Sequence, residues 1–67
     1  MAYLVLEIQS GDNVATTIND YDNLNQAESK YHQILTSAAL SEVPKHSAMI
    51  LNDDGQLLKV ECYNHED

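Results

Sequence analysis

Residues 2–9 alternate with a period of two, which places Leu4, Leu6 and Ile8 on one face and Tyr3, Val5 and Glu7 on the other. This pattern predicts a strand. Ser10, Gly11, Asp12 and Asn13 then form a turn cluster. Beyond it Val14, Thr16 and Ile18 alternate with Ala15, Thr17 and Asn19, which predicts a second strand closing a hairpin. The period then changes. Leu24, Ala27, Tyr31, Ile34 and Ala38 recur at spacings of three and four, and residues 24–40 contain no Gly or Pro. That is the apolar stripe of a helix, with Asp22 or Asn23 as its cap and Gln26 three positions after Asn23. Pro44 ends it and biases Val43 toward extended backbone.

The last third reads as another hairpin, residues 45–51 and 56–64 flanking Asn52-Asp53-Asp54-Gly55. A three-residue loop sets Ile50 opposite Leu58 and Ala48 opposite Val60. A two-residue loop instead aligns Leu51 with Leu58 and Met49 with Val60, and one slip exchanges the faces. The three-residue loop is favoured because it turns Lys59 and Glu61 to solvent with Ser47.

The expected fold is therefore α+β: ββαββ, one helix on one face of a four-stranded, mainly antiparallel sheet. It occupies 1–64 as a single domain, with a frayed acidic tail at 65–67. A lone helix covers only one sheet face. Under the favoured register the uncovered face carries Tyr3, Val5, Met49, Leu51, Leu57 and Tyr63, more apolar surface than a small monomer normally shows to water. A chain of 67 residues has little stability left once its ordering entropy is offset. Both arguments point to an interface in a homo-oligomer, with sheet packed against sheet.

Composition narrows the partners. The chain is 43% hydrophobic, enough for a folded domain, while three Lys+Arg against eleven Asp+Glu give a net charge of -8. Direct nucleic-acid binding and adhesion to anionic membranes are disfavoured. No apolar run approaches about 18 residues and no charged-then-apolar leader opens the chain, so a soluble, non-secreted protein is expected. The lone cysteine, Cys62, excludes an internal disulfide.

Chemistry is sparse. Cys62-x-x-His65, with His46 brought beside Cys62 by the favoured register, is half of a metal set or a Cys–His pair. No second half is present, so Cys62 reads as a half-buried small residue and no metal or cofactor is expected. Gly11 and Gly55 are isolated turn residues, not a phosphate loop. Asn52-Asp53-Asp54-Gly55 resembles the start of a calcium loop, but the acid it needs falls at Glu61, inside a strand. An enzyme is not expected. The acidity also suggests mimicry of a phosphate backbone, but Asp12, Asp20, Asp22, Asp53 and Asp54 fall in turns and at the helix start, where solubility and the helix dipole explain them.

Lys30-Tyr31-His32, Val43-Pro44-Lys45-His46, Asp54-Gly55, and Lys59 with Glu61-Cys62-Tyr63 form a pattern that resembles a group of short proteins of phages, prophages and mobile elements in Gram-positive gut bacteria. The likeness runs from the first strand to Tyr63. It implies a bacterial cytoplasmic or virion location and transfers no site residue. The expected function is a small acidic, non-catalytic interaction module, a structural or assembly accessory whose partner is itself, and beyond that a host or phage protein. The alternative is an inhibitor of a bacterial defence system, acting through an acidic surface or by holding a small ligand between subunits.

Overall fold

A computed structural model describes residues 2–65. The order is β1 (Tyr3–Ser10), β2 (Val14–Tyr21), α1 (Leu24–Leu40), β3 (Lys45–Asn52) and β4 (Leu57–Asn64), a ββαββ α+β domain. The four strands form one antiparallel sheet in the order β2-β1-β3-β4. Two hairpins are thus joined through the central pair β1–β3, and the helix carries the chain from one edge strand to the far side of β1. No helix among the described residues is long and apolar enough to cross a membrane.

The helix starts where its cap requires. Asn23 is extended (φ -127°, ψ 130°), its side-chain oxygen accepts from the Asn25 amide at 2.7 Å, and its carbonyl accepts from Ala27 at 3.1 Å. At the other end Ser41 donates its amide to the Ala38 carbonyl, and its hydroxyl accepts from Val43 at 3.0 Å. The buried stripe is Ala27, Tyr31, Ile34 and Ala38, the positions the spacing marks. It packs on Val5, Ala48 and Ile50, with Tyr3, Tyr21 and Leu35 at the margin. Alanines in both layers let helix and sheet approach closely, so the core is thin and most of its volume lies in Tyr31, Ile34, Ile50 and Val5. Across the margin Lys59 pairs with Glu28, which holds the Glu28 carboxyl below its ordinary 4.5, chiefly through the hydrogen bond and then the charge of Lys59.

Two polar groups lie beneath this layer. His46, 3% exposed, bonds through Nε2 to Glu7 Oε2 at 2.6 Å, and Gln9 donates to the same oxygen. Asn52 organises the second turn: its Oδ1 accepts from the amides of Asp54 and Gln56 at 3.0 and 2.9 Å, and its amide nitrogen donates to Gln56 Oε1. Gly55 takes φ +83°, the left-handed position this three-residue loop needs.

The loop length agrees with the favoured register at the turn, where Leu51 faces Leu57, but the ladder does not continue in that register. A bulge between Ile50 and Leu51 gives β4 one extra residue, so Ile50 faces Lys59, Met49 faces Val60 and Ala48 faces Glu61. The expected pairs Ile50–Leu58 and Ala48–Val60 are therefore replaced. Lys59 and Glu61 turn to the helix side, and Ser47 faces Cys62 on the other. At the carboxyl end, residues 66 and 67 of the expected tail lie outside the described residues. His65 is tied down, its amide bonding Pro44 O at 2.7 Å and its ring bonding Ala38 O at 3.0 Å.

Candidate functional site

Val5 is wholly buried under the helix, and this fixes both faces of the sheet. Strand alternation sends Leu4, Leu6, Ile8 and Ser10 to the opposite side, and cross-strand partners share a face. The registers then define four transverse rows across β2, β1, β3 and β4 on the uncovered face. They are Asp20–Leu4–Leu51–Leu57, Ile18–Leu6–Met49–Val60, Thr16–Ile8–Ser47–Cys62 and Val14–Ser10–Lys45–Asn64.

The expected set of uncovered residues is corrected accordingly. Met49, Leu51 and Leu57 lie on the open face. Val5 does not: it is core, and Tyr3 packs against the same core. Tyr63 also sits on the helix side, opposite His46, where it borders a groove with His32, Leu35 and Leu40 and stacks on His65 at 6.4 Å. The reversal has a local origin: β1 is apolar on both faces from Tyr3 to Leu6, and Glu7 and Gln9, which mark one face as polar, are taken in on the helix side by the bond to His46. Leu4, Leu6 and Ile8 go to the open side, together with Ile18 and Val60. A clue lay in the first hairpin, where a three-residue loop pairs Leu6 with Ile18 and Ile8 with Thr16.

The open face is uneven. Its second row is apolar from edge to edge, with Ile18 60% and Val60 46% exposed. In the third row Thr16 and Ser47 flank Ile8 and Cys62 follows at the edge, and a hollow of about 300 Å³ opens toward the fourth row, lined by Ile8, Ser10, Lys45, His46, Ser47, Cys62 and Asn64. Charge is nearly absent: within the rows only Asp20 and Lys45 carry it, with opposite signs and at opposite ends of the strands.

The polar cluster of His46, Cys62 and His65 is not assembled. His46 is buried on the helix side with its Nε2 held by Glu7, and its Nδ1 has no partner among the described residues. Cys62 is exposed on the opposite face, and His65 is held against the helix end. The one-residue shift in β4 is what separates His46 from Cys62. Among the described residues no group of three or more His, Cys, Asp or Glu is placed to hold a metal ion.

The arrangement offers an apolar, almost uncharged platform rather than a cleft lined by reactive groups. Comparison with protein-family models, curated proteins and solved structures finds no match for this chain.

Proposed function

We propose that the chain is a non-catalytic interaction module that assembles with copies of itself through the open sheet face. In the phage or prophage setting its sequence resembles, it serves as a structural or assembly accessory. The observation that carries this reading is the distribution of charge. In a chain of net charge -8, only two of the charged side chains among the described residues fall in the rows of this sheet face, and an unbroken apolar row crosses it.

The size is adequate. Four strands about 4.8 Å apart and eight residues at about 3.4 Å rise present about 500 Å² in projection. Two copies stacked face to face bury about 1,000 Å² or more, the threshold for a specific interface. A defence inhibitor with a DNA-like acidic surface has less in its favour. Glu7 and Glu28 are engaged by His46 and Lys59, and Asp20, Asp22, Asp53 and Asp54 lie at one end of the sheet while Asp12 and Glu42 lie at the other.

Sedimentation and native mass spectrometry test the proposal. The wild type is expected to form a discrete homo-oligomer. Met49→Lys, in the middle of the apolar row, is expected to give a folded monomer with an unchanged far-ultraviolet spectrum. A wild type that stays monomeric up to about 1 mM, where a contact of only about −4 kcal/mol would register, overturns the reading.

A further inference from the structure

The open face is self-complementary in one of the two ways that it can stack, and we infer that two copies pack about a dyad lying across the strands, so that the second row of each copy fills the third row of the other. This rests on the self-association proposed above and goes further by assigning the symmetry and the contacts.

A two-fold axis between stacked sheets lies in the plane between them, either along the strands or across them. An axis along the strands sets β1 over the partner's β3 and keeps each row over its own kind. Leu6 then meets the partner's Met49 and Ile18 meets the partner's Val60, bulk against bulk. In the next row Ile8 meets the partner's Ser47, but small meets small where Thr16 faces the partner's Cys62, so large meets small only on β1 and β3 in that one row. An axis across the strands, passing between the second and third rows, sets each strand over its own copy and exchanges those rows. Met49 then enters the space above the partner's Ser47, Ile18 lies over the partner's Thr16, and Val60 lies over the partner's Cys62. Large meets small on β2, β3 and β4, the condition for two inner faces to interdigitate about 10 Å apart, while on β1 Leu6 meets the partner's Ile8.

Charge does not oppose this axis. Exchanging the strand ends sets Asp20 over the partner's Val14 and Lys45 over the partner's Leu51, so no like charges are stacked, and the isologous contact repeats the arrangement twice. Stacked sheets cross at about 30°, so the pairing holds best on β1 and β3, nearest the centre of the face.

The test is a size swap at the centre of the face. Ser47→Met fills the hollow that Met49 of the partner would occupy, and it is expected to weaken dimerisation by at least about tenfold. The double variant Ser47→Met/Met49→Ser exchanges ridge and hollow and is expected to return the dimer to within about threefold of wild type. Ser47 faces away from the helix core, so the monomer fold is expected to be unchanged, and circular dichroism of dilute samples checks this. A Ser47→Met dimer as tight as wild type or tighter overturns the inference, as does failure of the double variant to recover. Both of those results leave self-association standing. A monomeric wild type removes both.

Discussion

Tyr31 sits where the helix stripe meets the sheet, its ring in the core beside Val5, Ala48 and Ile50. Burial, and after it the charge of Glu61, push its phenol above the ordinary value of 10.0. A folded state that holds the proton more tightly than the unfolded chain is favoured below the unfolded value, and that advantage is lost as pH rises through the folded one. Stability should therefore fall on the alkaline side above about pH 10. Tyr31→Phe is expected to flatten that limb, measured as melting temperature against pH from 8 to 12. An equally steep limb in the variant would assign the loss to other groups.

Among the elements, the second hairpin depends most on one side chain. Asn52 is buried and makes three bonds that close the turn before Gly55. Asn52→Ala leaves two amides without their acceptor and is expected to cost about 1–3 kcal/mol. For a domain of this size that lowers the melting temperature by roughly 5–20 °C, measurable by calorimetry. The helix and the ββαββ order are legible in the sequence because a period of 3.6 between Asn23 and Pro44 has no competing reading. The facing of the strands is not. β1 is apolar on both faces from Tyr3 to Leu6, its polar Glu7 and Gln9 fall on the face that is buried, and the Leu57-Leu58 doublet accommodates either ladder, so no local signal marks the extra residue that β4 carries. The open face was thus foreseeable as a consequence of having one helix, while half of the residues first assigned to it lie on the other side.

Taken whole, the molecule spends its smaller side chains on its own core. Ala27 and Ala38 on the helix and Ala48 on the sheet are buried between the layers, while Leu4, Leu6, Ile8, Ile18, Met49 and Val60 stand on the open side. The association proposed above would add to the stability of a fold divided this way, and linkage makes that measurable. The wild-type melting temperature should rise with protein concentration, while that of Met49→Lys should not. Concentration-independent melting in both would mean that the thin core is sufficient alone.

The bulge in β4 decides what kind of surface the protein shows. Without it, the ladder begun at Leu51–Leu57 would run on to set Lys59 beside Met49 and Glu61 beside Ser47 on the open side. β4 therefore carries two alternative outward faces, one greasy and one ionic, and a slide of one residue against β3 exchanges them. On the proposed self-association, joining and staying apart would be separated by a single step in strand register, with the Leu57-Leu58 doublet as the place where that step is set.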